Sequence, residues 1–466
     1  MPSPARPRWT FAVVSLALFM ITLDNLVVTT ALPSIRVDLG ASIQSLEWTV
    51  NAYTLSFAVL LLPAAALGDR FGRRRVFVAG LALFTLASGL AALAPSTGAL
   101  IAARAIQGAG GAVIAPLSLT LLADAVPAGN RGLALGAWSG VSGLGVALGP
   151  VVGGAVVDGF DWTWIFWLNV PVGLALLAPA ARRLRESRGA SDRLDLPGLA
   201  LAAAGLLALT YAAVEAGGHG WGSTLVLGFL GAGLALLVAF VAWERRAPAP
   251  MLPLRFFRSR AFAATNAVSL AMYFGVFGSI FFLAQFFQTA QGLSPLEAGL
   301  RTLPWTGMPM LVAPLAGLLS DRVGSRPLMV GGLALQAAAV AWIASISEPS
   351  LAYSRLVVPF VLGGMGMALV FAPAANAVLS AVRPSEAGQA SGATNAIREV
   401  GGVFGVAVLA SVFSGAGSYA SPQAFNDGLV AAAWVGAAVL AAGALAALLV
   451  PRAAVARAAE PVPVAA

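Results

Sequence analysis

Apolar runs of about 18 to 25 residues recur along this chain, separated by short polar segments. Each is long enough to cross a hydrocarbon core of roughly 30 Å as a helix rising about 1.5 Å per residue. Without water, a spanning backbone must satisfy its own polar groups, which leaves helices or a closed barrel. The short alternating segments of a barrel are absent. Fourteen helical spans are predicted, among them span 1 over about 10–31, span 7 over 196–214 and span 10 over 299–319. Composition agrees: 59% of residues are hydrophobic and 10% charged, against about 25% charged in soluble domains. The chain therefore reads as an all-α polytopic membrane protein.

The net charge of +8 would suit nucleic acid only if it gathered on one water-exposed face. Here the basic residues, all arginine, sit in short loops between spans, so no nucleic-acid partner is expected. Absence of Cys and a single histidine, His219, exclude a thiolate or His-cluster metal centre. The first apolar run continues through Asp24 to Ala31 without a cleavage pattern and is expected to be a retained span rather than a signal peptide. Cytoplasmic loops collect arginine. Both termini are accordingly placed in the cytoplasm, which leaves only Arg36, Arg301 and Arg355 near the outer face and Arg104 and Arg398 within the membrane. Trp48, Trp162, Trp164 and Trp221 fall at outer ends as interfacial anchors. Glu215 and His219 are expected in a loop after span 7.

A weak internal repeat divides the chain. The segment from Ala65 through Asp69, Arg70, Gly72, Arg73 and Arg74 recurs in form from Gly317 through Asp321, Arg322, Gly324 and Arg326. Each copy follows the second span of a six-span block. A 6+2+6 arrangement follows: residues 1–185 as an N-terminal six-helix bundle, 186–260 as an inserted two-helix segment with its linkers, and 261–451 as a C-terminal six-helix bundle. Residues 452–466 are expected to be a disordered cytoplasmic tail. Repeats of this kind are common in secondary transporters, whose substrate site lies between the halves.

These motifs together resemble the major facilitator superfamily, and within it the fourteen-helix drug:proton antiporters similar to EmrB and QacA. The repeated turn matches the superfamily pattern G-x-x-x-D-R-x-G-R-R, although Ala65 stands where the leading glycine is usual. Further matches are Leu23-Asp24 with Ala31-Leu32-Pro33, Arg104 with Gln107-Gly108, and Gly145, Gly149, Pro150, Gly153 and Gly154 in span 5, the pattern associated with antiporters. Two branch-level markers run from Trp162 through Asn169 to Pro171 and from Asn395 through Arg398-Glu399 to Gly402. The resemblance implies a major facilitator fold of two pseudo-symmetric bundles. It also makes the Asp69 turn a latch that stabilises the outward-open state, with a signal of orientation alone as the competing role, and sets spans 1 and 4 along a central cavity.

Charged residues at mid-membrane cost about 2.5–3.5 kcal/mol each on insertion scales and so face a cavity or a partner. Asp24 and Arg104 lie at matching depths and could meet. Asp24 is read either as a titrating carboxylate or as half of a structural ion pair, since burial and a neighbouring cation act on its proton in opposite senses. Arg104 is read as a coupling residue or as helix-helix glue, with Gln107 one turn away. Glu399, where the family more often has Gln, is a further proton-coupling candidate; a bland interfacial role stands beside it. The glycines of span 5 admit close helix approach and Pro150 bends the helix.

Substrate contacts are assigned to Asn25, Asn51, Tyr53, Gln107, Tyr273, Phe277, Gln285, Trp305, Met308 and Arg398, as polar hooks and adaptable apolar surface. Packing is the competing role for each aromatic and Met. Span 10 carries no carboxylate, which argues against dicationic substrates. The expected activity is proton-driven efflux of hydrophobic, monocationic or neutral molecules by a monomer without cofactor in the bacterial inner membrane. No nucleotide loop or ATPase-sized segment is present. A dedicated exporter of one metabolite and a non-transporting membrane sensor are the alternatives; an enzyme is not expected.

Overall fold

The computed structural model describes residues 7–127, 131–188, 195–383 and 386–452, with the side chains of residues 131–133, 135, 136, 139, 142, 321, 387 and 388 outside the described set. The expected tail lies almost wholly beyond it. Among the described residues the chain forms fourteen long helices: α1 Pro7–Asp38, α2 Ile43–Phe71, α3 Arg73–Ala92, α4 Thr97–Ala125, α5 Arg131–Gly159, α6 Trp164–Arg183. They continue as α7 Leu196–His219, α8 Thr224–Glu244, α9 Arg260–Gln285 with a π turn to Ala290, α10 Pro295–Val323 interrupted at Gly307, α11 Ser325–Ile346, α12 Ser354–Ser380, α13 Ala387–Ala416 and α14 Pro422–Ala447. Thirteen are long and apolar enough to span by length and composition; in α5 the apolar part among described residues is the shorter Gly143–Gly159.

Helix ends follow local chemistry. Ser42, Ser96, Ser223, Ser259 and Ser421 each accept a hydrogen bond from a first-turn backbone N–H, and Ser294 with Glu297 forms a capping box. Gly72 and Gly324 close α2 and α10 at φ of +108° and +83°, values open to glycine alone at no steric cost. The internal repeat is thus geometric: both copies turn on the same left-handed glycine.

α1–α6 and α9–α14 form the two bundles. They meet along two seams, α2 against α13 and α5 against α10, with α1 also touching α9. The inserted pair has a defined place: α7 packs on α2 and α13, and α8 packs on α7. Leu199, Ala203 and Leu206 cover Leu55, Val59 and Val403, while Ala213 and Val214 meet Ala407. α7 and α8 therefore cover the α2–α13 seam from outside, and α8 turns most of its surface outward.

Two expectations change here. Glu215 and His219 lie in the last turns of α7, paired at 3.2 Å, because the helix continues about one turn past the apolar run. Trp162 is buried and donates its indole N–H to Asp38 at 2.8 Å, so it ties α1 to the α5–α6 loop. Trp164 and Trp221 are exposed, as anchors require.

Candidate functional site: a central cavity between the two bundles

Asp24 and Arg104 meet. Arg104 Nη1 donates to Asp24 Oδ2 at 2.6 Å, and both side chains are fully buried. Gln107 donates to Asp24 Oδ1 at 2.8 Å and Asn169 donates to the same oxygen at 2.6 Å. Gln107 also accepts from Arg104 at 2.7 Å and donates to Ser88 at 2.9 Å, and Arg104 Nε donates to the Thr49 carbonyl at 3.2 Å. The guanidinium lies 4.2 Å from the Tyr53 ring centroid. Five of the six helices of the N-terminal bundle give side chains to this cluster; α2 gives a carbonyl and the Tyr53 ring. Charge-assisted bonds of this density bind the bundle together. Asn169 and Ser88 are site residues that sequence reasoning misses; a polar residue inside an apolar span is the available signal, and only its depth relative to Asp24 makes that signal specific.

A cavity of about 2710 Å³ lies between the bundles. Its wall includes Asn25, Tyr53, Tyr273, Phe277, Trp305, Arg398 and Glu399. Asp24, Arg104 and Gln107 are not on it. They sit one layer behind, and Asn25 and Tyr53 separate them from the open space. Asn51 is fully buried away from the wall. Gln285 bonds to the Phe281 carbonyl and to the Tyr419 phenol, and Met308 packs against Gly364. Arg398 and Glu399, though adjacent, both border the cavity, because it wraps around α13 by more than one helix face.

The cavity opens at the arginine-rich end, where its wall carries Asp69, Arg73, Arg245, Arg255 and Arg258. Here Arg73 bridges Asp69 at 2.9 Å and Asp124 at 2.7 Å. Glu186, just after α6, accepts from the Arg74 backbone N–H at 3.0 Å and lies 3.6 and 3.7 Å from the Arg74 and Arg75 side chains. Arg70 lies over Phe71, and Arg322 is exposed. The side chain of Asp321 is outside the described set. Every recorded polar contact of the Asp69 turn stays within the N-terminal bundle and the segment just after α6, and none reaches the C-terminal bundle, as an open end requires. Asp124 and Glu186 complete the turn and are separated from it by 51 and 112 residues, too far for sequence spacing to suggest.

The opposite end is shut. Gly145, Gly149 and Gly153 of α5 lie against Thr22, Leu26 and Thr30 of α1. Gly154 points the other way, onto the Pro295 carbonyl of α10, and Gly299 of α10 lies against the Pro150 carbonyl. The α5 pattern therefore does two things: three glycines on one face dock α1, and the fourth lets the two bundles touch backbone to backbone. Gln288 donates to the Thr30 carbonyl at 2.9 Å and Thr306 to the Ala147 carbonyl at 3.3 Å across the same divide. Arg36 lies 4.2 Å over the Tyr419 ring, and burial pushes the Tyr419 phenol up, so it stays neutral beneath the cation.

Comparison with known proteins agrees with this architecture. The sequence model of the Major Facilitator Superfamily matches residues 14–406 and 266–462. The tetracenomycin C resistance and export protein of Streptomyces glaucescens is 36% identical over 406 residues, 87% of this chain and 75% of that protein. The puromycin resistance protein of Streptomyces alboniger is 38% identical over 440 residues, 92% of this chain and 87% of that one. The cephamycin export protein of Amycolatopsis lactamdurans is 41% identical over 411 residues, covering 87% and 84%. Among solved structures, a D-xylose-proton symporter superposes with a TM-score of 0.67 at 16% identity over 95% of this chain and 98% of that one, a likeness of fold alone. With two six-helix bundles around a cavity, a family model that matches most of its length and relatives at 36–41% identity, the chain belongs to the major facilitator superfamily.

Proposed function

We propose that this transporter exports hydrophobic small molecules, neutral or bearing one positive charge, in exchange for protons by alternating access. The observation that carries the reading is the position of Glu399. It stands in the body of α13 on the cavity wall, whereas the other lining carboxylates, Asp69, Asp195 and Glu244, stand at or beside helix ends. It forms no ion pair among the described residues. A carboxyl in that place can hold a proton or a cationic guest, and not both at once. Asp24 acts from behind the wall: its protonation would remove the counter-charge of Arg104 and loosen the cluster that holds α1 against α4 and α6.

In this reading both termini and the arginine-rich end face the cytoplasm, and the structure is the inward-open state of a monomer in the bacterial inner membrane. No cofactor is needed, since the membrane potential contributes about 2.3 kcal/mol per charge per 100 mV, roughly a 50-fold gradient per proton. The cavity exceeds the roughly 300–1,000 Å³ of a drug-sized pocket, so selectivity must come from a few polar groups rather than from fit. Relatives named for single antibiotics favour a second reading, a dedicated exporter of one such metabolite; a substrate panel in which one compound alone is moved would establish it.

The test is substrate-dependent proton movement in proteoliposomes under an imposed pH gradient; substrate movement indifferent to the gradient would sink proton coupling. Glu399→Gln is expected to lower gradient-driven transport at least about tenfold while substrate exchange without a gradient continues, as loss of one titrating site implies. Asp69→Asn is expected to lower the melting temperature only slightly, since partly exposed ion pairs near a surface contribute about 0–1 kcal/mol. Transport by that variant should fall severalfold if the turn latches the other bundle in the outward-open state. Wild-type rates would remove the latch.

A further inference from the structure

Arg398 differs from the other buried arginine of the membrane interior. Arg104 has a carboxylate, an amide and a carbonyl as acceptors. Arg398, 6% exposed and bordering the cavity, has five N–H donors and makes one long bond, from Nη1 to Asn395 Oδ1 at 3.4 Å. Its Nε and Nη2 have no acceptor among the described residues. Neighbouring Glu399 does not pair with it, because successive residues of a helix project about 100° apart. An unpaired guanidinium away from water is costly. The relief it finds is aromatic: its Cζ lies 4.7 Å from the Phe371 ring centroid and 5.9 Å from that of Tyr273.

Those rings form a shelf. Tyr273 stacks on Phe277 at 5.4 Å and 19°, and on Phe371 at 6.3 Å and 28°, and all three border the cavity. Thr394, one turn before Arg398 on α13, also lies on the wall, with its hydroxyl unpartnered. A flat apolar surface, a fork of free donors and a nearby hydroxyl are complementary to one chemical class. The fork fits a planar carboxylate by two parallel bonds, and the stacked rings accept a flat aromatic body in offset contact.

We propose that Arg398, Thr394 and the Phe371–Tyr273–Phe277 shelf form a binding site for planar aromatic acids, the carboxylate on the guanidinium and the ring system on the shelf. The site rests on the reading of the cavity as the transport path and extends its cargo to a class of opposite charge. The two free nitrogens are buried in this state, so the acid binds as the guanidinium turns from the rings toward the cavity. Glu399, on its own side of α13, remains available for a proton or a cation.

The test uses purified full-length protein in nanodiscs and three fluorescent probes of one shape: pyrene-1-carboxylate, pyrene-1-carboxamide and pyrene-1-methylamine. The carboxylate is expected to bind at least about tenfold more tightly than the carboxamide, as one charge-assisted hydrogen bond supports. Arg398→Gln should reduce that ratio to about one while keeping carboxamide affinity within about threefold. Arg398→Met serves if the Gln variant does not fold. Equal binding of acid and amide by the unaltered protein overturns the site, as does failure of both to bind or a preference that survives loss of the arginine. Gradient-driven uptake of the carboxamide or methylamine is measured separately in proteoliposomes. Its failure would count against proton-coupled export and would leave the binding ratio intact.

Discussion

Asp24→Asn is expected to abolish proton-coupled transport and, in addition, to destabilise the N-terminal bundle. The carboxylate accepts from Arg104, Gln107 and Asn169 in a fully buried cluster. Its neutralisation leaves the Arg104 charge without a counter-ion, a change that costs about 3–5 kcal/mol. Thermal melting in detergent should show a clear drop. A loss of transport by this variant is therefore ambiguous taken alone, and the charge-neutral pair Asp24→Asn with Arg104→Gln separates the two roles. Two amides can bridge the same helices, and replacing a buried ion pair by neutral groups is often close to neutral in stability. The double variant should melt near the parent while transport stays at least about a hundredfold down. Recovery of transport together with stability would make Asp24 a structural ion pair and leave Glu399 as the sole coupling candidate of the two.

The second large effect is expected at Gly154. A side chain there has no space, since a methyl group would lie inside the van der Waals surface of the Pro295 carbonyl oxygen, and Gly299 faces Pro150 in the same way. Neither neighbour is a flexible side chain that could give way. Gly154→Leu should therefore part α5 from α10 at the shut end. A penalty of about 1–3 kcal/mol for overpacking shifts the balance between open and shut by roughly 5- to 150-fold. The absence of cysteine from the chain makes the readout clean: Asn25→Cys, on the cavity wall, should react with an impermeant maleimide from the arginine-rich face alone in the parent. In combination with Gly154→Leu it should react from the other face as well. Unchanged labelling would mean that the α5–α10 crossing is not the seal. By contrast Gly145→Ala meets Thr22 and Leu23 of the same bundle and should lower stability without changing which face is reached.

The inserted pair acquires a physical role that neither apolar runs nor motifs could provide. α7 covers α2 and α13 along the seam where the bundles meet, while the other seam, α5 on α10, depends on direct backbone contact. One side of the transporter is thus closed by glycine and the other by two additional helices.

Sequence alone settled the parts of this protein that obey local rules. Hydrocarbon forces each apolar run to be a helix, and the repeated Asp-Arg-x-Gly turn marks where each half begins its third helix. The depth of Asp24 and Arg104 along their helices was enough to suggest that they meet. Rotation about the helix axis was not legible, because an almost uniformly apolar span has no polar face to read. Which neighbours α1 turns toward is decided by Gly145, Gly149 and Gly153, where close packing fixes the angle. That angle buries Asp24 among Arg104, Gln107 and Asn169 and turns Asn25 to the cavity. For the same reason Asn51 and Gln285, chosen as cavity hooks, face their own bundles, while Arg398 and Glu399 both reach the wall. Tertiary structure also decided which end is open, since the sequence is common to every state of the cycle and only the contacts between the halves differ.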